Sequence, residues 1–235
     1  MSVKVTALSK VFGKQTAVDL ISFDALKGRI TGFLGPNGAG KSTTMRMLTG
    51  YMNPTSGKVE VAGRLVDKDA ISIRKEIGYL PENTPLYPDM YVKEFLCFVG
   101  ETYGLKDLKN RVDEVIKQVG LTSEQHKKIG TLSKGYKQRV GIAQAIIHSP
   151  TVLILDEPTS GLDPNQLTDI RNLIRHLGKD KTIIISTHIM QEVEAICDDV
   201  IIINKGKIVA NSSLSSLMEK YHPQTLEDIF KKLTK

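Results

Sequence analysis

No apolar stretch in this sequence approaches the ~20 residues that a membrane-spanning helix requires. Runs such as 183–185 and 200–203 fall far short, so any membrane role is expected to be peripheral. The chain start lacks the pattern of a secretory signal, because residues 2–10 alternate apolar and polar side chains as a strand does. Cysteine is scarce: Cys97 and Cys197 lie far apart, each in an apolar helical pattern. Reduced thiols of a cytosolic protein are expected from them rather than a disulfide or a metal pair. Internal repeats and low-complexity tracts are also missing. With 40% hydrophobic and 25% charged residues, the composition excludes disorder and points to a soluble globular fold.

The net charge of +6 is spread along the chain. A solvated basic surface with a lysine-rich tail (Lys231, Lys232, Lys235) accounts for it as well as an anionic partner does, and no nucleic-acid partner is expected. A length of 235 residues suits one large domain, or one domain with an inserted lobe.

Period-two patterns at 3–8, 17–23 and 29–34 predict a sheet-rich start, and a helix is expected at 41–48. A turn at 53–57 and strands at 58–61 and 77–80 follow, the last ending at Pro81. From about 90 to 148 the texture turns helical, with helices at 91–103, 108–119 and one starting at Ser133. Strand and helix then alternate at 152–155, 166–177, 182–185, 190–196 and 200–203. That alternation predicts a parallel sheet with helices on both faces and ligand sites at the carboxyl ends of its strands. In the tail, a hairpin arm at 205–210 and a short amphipathic helix at 225–233 are expected, and no further regulatory domain is expected after them.

Two segments carry chemistry. Gly35, Pro36, Asn37, Gly38, Ala39, Gly40, Lys41 and Ser42, with Thr43 behind them, form a P-loop between the strand at 29–34 and the helix at 41–48. Glycines let backbone N–H groups turn inward around phosphates, and the helix adds the positive end of its dipole. Lys41 would reach the β- and γ-phosphates of ATP, and the Ser42 hydroxyl would take a position on Mg²⁺. The apolar run 152–155 reads as a strand buried on both faces that ends in Asp156 and Glu157. Asp156 suits Mg²⁺ held through water, and Glu157 suits a base polarising a water aimed at the γ-phosphate. Taken alone, the pair also reads as a solvated strand end.

The P-loop, Leu132-Ser133-Lys134-Gly135-Tyr136, Leu155-Asp156-Glu157-Pro158-Thr159, Ser160-Gly161-Leu162-Asp163 and Ser186-Thr187-His188 follow one another with a spacing that resembles the nucleotide-binding domain of ABC transporters. The resemblance covers nearly the whole chain. Around 77–87 and 134–145 it is nearest to the ATPase subunits of gliding-motility-associated and multidrug-type bacterial exporters. It implies an α/β P-loop NTPase fold with a parallel core sheet, an N-terminal antiparallel β subdomain and an inserted α-helical subdomain. The expected division is a nucleotide-binding core at 1–89 and 149–235, with the helical insert at 90–148.

The resemblance further implies two domains meeting head to tail, with each MgATP held by the P-loop of one copy and Ser133, Gly135 and Asp163 of the other; a dimer of like chains is expected because both half-sites look competent, and a dimer of unlike chains stays open. It makes His188 a switch residue that contacts the γ-phosphate and steadies the attacking water, and it sets Phe12 against the adenine ring with Val18 nearby. It implies a transmembrane permease on another chain, docked near 82–91, and a place on the cytoplasmic face of the membrane reached only through that permease. Residue chemistry adds that Ser133 is an N-cap whose hydroxyl and helix end make an anion site, or a plain cap. Asp163, ahead of Pro164, reads as a cap in its own right. Phe12 has a core-packing reading as its alternative.

Two departures from the family pattern stand out. Lys134 and Tyr136 replace a glycine and the glutamine of the usual signature; Lys134 either strengthens attraction for the partner's phosphate or faces solvent. Glu82 stands where a Mg²⁺-sensing glutamine is usual, either as a harder metal ligand or as an exposed loop residue. The expected reaction is ATP + H₂O → ADP + phosphate, driving an exporter. A soluble ABC ATPase acting on ribosomes, DNA or chromosomes is the alternative; relatives of that kind carry paired domains or a long coiled coil, and neither is seen here. A non-hydrolysing regulatory domain is opposed by the intact Glu157 and His188.

Overall fold

The computed structural model describes residues 2–66 and 70–235. Its centre is a six-stranded sheet in the order β10-β9-β3-β8-β7-β6, built from β3 (Ile30–Leu34), β6 (Ile77–Leu80), β7 (Val152–Asp156), β8 (Thr182–Thr187), β9 (Asp199–Asn204) and β10 (Lys207–Ser213). Every pairing is parallel except β10 on β9, which closes the expected hairpin arm as an antiparallel edge. All residues of β3, β7 and β8 are buried. This is why they read as unbroken apolar runs: a central parallel strand is covered on both faces and has no solvent side to mark.

One face of this sheet carries the antiparallel subdomain that the family resemblance implies, in place of the helices that strand–helix alternation alone predicts. A second, antiparallel sheet, β2-β1-β4-β5, comprises β1 (Val3–Phe12), β2 (Gln15–Ala25), β4 (Ser56–Val61) and β5 (Arg64–Leu65). Together with helix α1 (Lys41–Leu48) it packs over Phe33, Ile154, Ile184 and Ile201. The apolar positions of β1 and β2 recur every second residue because one face of this sheet meets the core and the other meets water. Truncating Ile154 to alanine here would cost about 2–5 kcal/mol.

Helices cover the opposite face. Short α2 (Ala70–Arg74), which precedes β6, is the exception, since its Ile73 joins the core beneath the antiparallel sheet. Three longer helices follow: α3 (Val92–Thr102), α4 (Leu108–Gln118) and α5 (Lys134–Ile146), where Ser133 caps α5 and accepts a bond from the Tyr136 N–H at 3.4 Å. Their apolar sides join α6 (Pro164–Gly178) and Leu153, Leu155, Ile183 and Ile185 of the sheet in one continuous core. Asp163 caps α6, accepting from Gln166 N–H at 2.9 Å, with Pro164 opening the helix. Helices α7 (Met190–Ile196), α8 (Leu214–Tyr221) and α9 (Leu226–Thr234) close a third cluster over Val200 and Ile202. The tail helix therefore buries Leu226 and Ile229 in the core. Sequence reading had no helix at α8, because Ser212-Ser213-Leu214-Ser215-Ser216 looks like a loop; the Ser213 hydroxyl in fact caps it at Ser216 N–H.

Candidate active site

Four neighbouring strands, β3, β8, β7 and β6, end side by side. Their carboxyl ends lead in that order into Gly35, His188, Glu157 and Glu82, so sheet order alone gathers motifs that lie up to 153 residues apart. The register is tight at this edge: Asp156 pairs with Ser186 across β7 and β8, and the Gly35 N–H donates to Thr187 C=O at 3.3 Å.

Between β3 and α1 the chain turns through Gly40 at φ 107, a conformation that side chains resist, and a Cβ there would fall 2.6 Å from the Ala17 carbonyl oxygen. No side chain caps α1, and its first turn holds no acidic residue. Its N-terminus thus keeps backbone donors and a positive dipole end for an anion. Lys41, buried, donates from Nζ to Gly35 C=O at 2.8 Å and to Pro36 C=O at 3.3 Å, and lies 3.7 Å from Glu157 Oε1. Burial pushes the Lys41 pKa down, and the nearby charges of Glu157 and Asp156 oppose that shift.

The Ser42 hydroxyl donates to Asp156 Oδ1 at 3.3 Å, and Ser186 donates to the same oxygen. Glu157 is buried at φ 51, a left-handed backbone unusual for a residue with a long side chain. Its N–H donates to Ser186 C=O at 3.1 Å and Ser186 Oγ at 3.2 Å, and its two carboxylate oxygens lie 3.0 and 2.9 Å from His188 Nδ1. The carboxylate is thus held between an ammonium and an imidazole at the mouth of the loop.

A cleft of about 570 Å³ collects Phe12, Asn37, Gly38, Gly40, Lys41, Ser42, Thr43, Glu82, Glu157 and His188. Phe12 is 46% exposed at the end of β1, with Lys10 Nζ 5.2 Å from its ring centre, so it is not a core residue. Val18 is different: it is fully buried beneath Gly40, and Gln15 and Ala17 line the cleft in its place. Strand alternation explains this, since Ala17 and Val18 face opposite sides of β2.

Ser133, Gly135 and Asp163 lie outside this cleft. They form a separate group: Gly135 packs against the Gln166 side chain, whose backbone N–H Asp163 accepts. Lys134 is exposed, with its ammonium beside Gly161 in the segment leading to Asp163. Each chain therefore carries a phosphate-type loop and, apart from it, a pair of capped helix ends.

Sequence reading did not single out the residues behind the carboxylates. Ser186 braces Asp156 and Glu157. Glu192, on α7, accepts hydroxyl bonds from Thr159 and, at 2.6 Å, from Thr187. Burial pushes the Glu192 pKa up, the Thr187 hydroxyl opposes this, and the charge of Glu157 adds to it.

A family model described as ABC transporter matches residues 18–160, from before the P-loop to just past Glu157. The chain belongs to the ABC transporter family. It is 42% identical over 220 residues to the bacitracin transport ATP-binding protein BcrA of Bacillus licheniformis, covering 93% of this chain and 72% of that one. To the linearmycin resistance ATP-binding protein LnrL of Bacillus subtilis it is 39% identical, covering 93% and 71%. A solved ATP-binding subunit of an ABC transporter superposes with a TM-score of 0.89 at 28% identity, each chain covered in full. The chain is thus an ABC transporter ATP-binding subunit, a P-loop ATPase that binds ATP and couples its hydrolysis to transport. Subunits of this family pair with one another and with a transmembrane permease. No helix among the described residues is long and apolar enough to cross a membrane.

Proposed function

We propose that this ABC subunit drives an exporter by closing as a dimer of like chains around two MgATP, each gripped by the loop of one copy and by Ser133, Gly135 and Asp163 of the other. The observation that carries the chemical reading is the buried Glu157 carboxylate set between Lys41 at 3.7 Å and His188 at 2.9 Å. The likeness to subunits named for bacitracin transport and linearmycin resistance supports export.

In this reading the backbone from Gly35 to Thr43 cradles the phosphates, Lys41 turns from its loop carbonyls to the β- and γ-phosphates, and Phe12 stacks on adenine. Glu157 takes a proton from the attacking water, and His188 holds that water and the γ-phosphate in line. Mg²⁺ fits the donors present. Ser42 Oγ and Asp156 Oδ1 lie 3.3 Å apart and Glu82 lines the same cleft, while no group of three or more His, Cys, Asp or Glu side chains is placed to hold a metal ion among the described residues. Few protein oxygens suit an ion that keeps waters and phosphate ligands. Ser42, Asp156 and Glu82 would hold it, and when bound it would neutralise charge on the phosphate oxygens.

The segment 90–148 acts as the lobe that reports closure to the permease on the cytoplasmic face of the membrane. Tyr87, Tyr91 and Phe98 are exposed, the first two within the segment 82–91, with the Tyr87 and Phe98 rings 5.9 Å apart, which supports docking there.

The test is Glu157→Gln. Hydrolysis by the purified chain should fall by about 10²-fold or more with ATP affinity unchanged. Turnover at the wild-type rate excludes Glu157 as the base.

A further inference from the structure

Behind the Glu157 and His188 pair lies a carboxylate that the reaction does not touch. Glu192 is 2% exposed, and its two oxygens are divided between two loops. Oε1 accepts from Thr159, two residues beyond Glu157; Oε2 accepts from Thr187, the residue before His188, at 2.6 Å. Thr187 Oγ1 in turn accepts from the Ile189 N–H at 3.1 Å, so the residues on both sides of His188 are tied to one hydroxyl. The His188 ring is 45% exposed and its ring contact is with Glu157 itself, so its placement follows from the backbone that carries it.

Burying a carboxyl group without a cation in contact is costly, and an apolar residue of similar size would cost less if α7 needed only packing. No ion pair involves Glu192 among the described residues. The pattern of its bonds supplies a reason for keeping it, since each oxygen restrains one of the two loops that carry the reacting pair.

We propose that Glu192 is a positioning residue for hydrolysis: by accepting the hydroxyls of Thr159 and Thr187 it fixes the distance between the Glu157 carboxylate and the His188 imidazole. This rests on the roles of Glu157 and His188 given above. A carboxylate is the right group because it accepts at both oxygens, whereas the amide of glutamine offers one acceptor and one donor, so one hydroxyl must turn from donating to accepting and its loop is held differently. Misplacing a reacting group by about 1 Å can cost on the order of 10²-fold in rate, so a partial release should cost less.

Steady-state hydrolysis by the purified full chain tests this, together with its thermal midpoint. Glu192→Gln should lower kcat by about 10-fold and leave KM for ATP within about twofold. In a His188→Ala background the same change should cost almost nothing more, because the geometry it protects is already lost. Thr187→Ser should retain activity, while the near-isosteric Thr187→Val should repeat the Glu192→Gln loss. The serine and valine pair decides the matter if a Glu192 variant does not fold. Losses in kcat from Glu192→Gln and His188→Ala that simply multiply, or a lowered thermal midpoint with kcat unchanged, overturn the positioning role while leaving the function intact if Glu157→Gln is inactive. Wild-type turnover in both Glu157→Gln and His188→Ala overturns the site reading and this inference with it.

Discussion

His188 Nδ1 lies within hydrogen-bond distance of both carboxylate oxygens of Glu157, at 3.0 and 2.9 Å. Two strands that are neighbours in the sheet but 31 residues apart in the chain thus share one polar contact at the mouth of the P-loop. If the contact orients the base, His188→Ala should lower kcat by about 10-fold to 10²-fold with ATP affinity little changed. The Glu157→Gln, His188→Ala double variant should be no slower than Glu157→Gln alone. Multiplying losses in that cycle would show the two residues acting independently.

Phe12 protrudes into the cleft, and its removal should leave the fold alone. Phe12→Ala is expected to weaken ATP binding by about 0.5–1.5 kcal/mol, roughly twofold to thirteenfold, the usual range for one aromatic stacking contact. The thermal midpoint without nucleotide should stay in place. Equal affinities of the two proteins in a nucleotide titration would remove Phe12 from the adenine site.

Glu82 brings a carboxylate where an amide is usual. Glu82→Gln should raise the Mg²⁺ concentration needed for half-maximal hydrolysis, because an amide is the poorer ligand for a hard cation. An unchanged Mg²⁺ dependence together with unchanged coupling to transport returns Glu82 to the exposed loop.

Ser133 has two roles that can be separated. Loss of its cap on α5 should cost about 0.5–2 kcal/mol of stability in Ser133→Ala, read by urea unfolding. Loss of its phosphate contact should abolish ATP-induced dimerisation of a Glu157→Gln chain, read by light scattering. Ser133→Asp keeps a capping oxygen but adds negative charge, so it should restore the stability and not the dimer. A dimer formed by Ser133→Asp would refute the phosphate role.

The pH dependence of stability should carry the mark of His148. Its ring stacks on Tyr103 at 4.0 Å, Nε2 meets the Ile77 carbonyl at 3.1 Å, and Nδ1 is buried with no hydrogen-bond partner among the described residues. Burial pushes its pKa from 6.5 down to about 4. The unfolded chain therefore binds more protons between these values, so stability is complete above about pH 6.5 and is lost as pH falls toward 4. Discounted for partial exposure, the loss is about 2 kcal/mol. His148→Phe keeps the stack and should flatten this limb of the urea-unfolding curve; an unaltered acid limb would assign it to other groups.

Much of this site was legible because its chemistry is local in the chain. The loop from Gly35 to Ser42, the cap at Ser133, the Asp163-Pro164 helix start and the strand ending in Asp156 and Glu157 are each written in adjacent residues. What escaped is set by packing between distant segments. Glu192 and Glu194 look alike in a helical pattern, and only the fold turns the first toward Thr159 and Thr187. Val18 sits one residue from Ala17, and nothing local says which of the two meets the cleft. The family motifs imply the antiparallel subdomain, but strand–helix alternation alone does not place it over the core: residues buried on both sides, such as 152–155, do not record what covers them.

The left-handed backbone of Glu157, at φ 51, sets stability against turnover at a single position. A residue with a Cβ and a long side chain gives up roughly 1 kcal/mol by standing there, whereas glycine or asparagine adopts the same turn with little penalty. Replacing the base with either would relieve that strain but would also strip the buried Lys41 ammonium of its facing carboxylate, so the one turn couples backbone strain, charge pairing and turnover in the same residue.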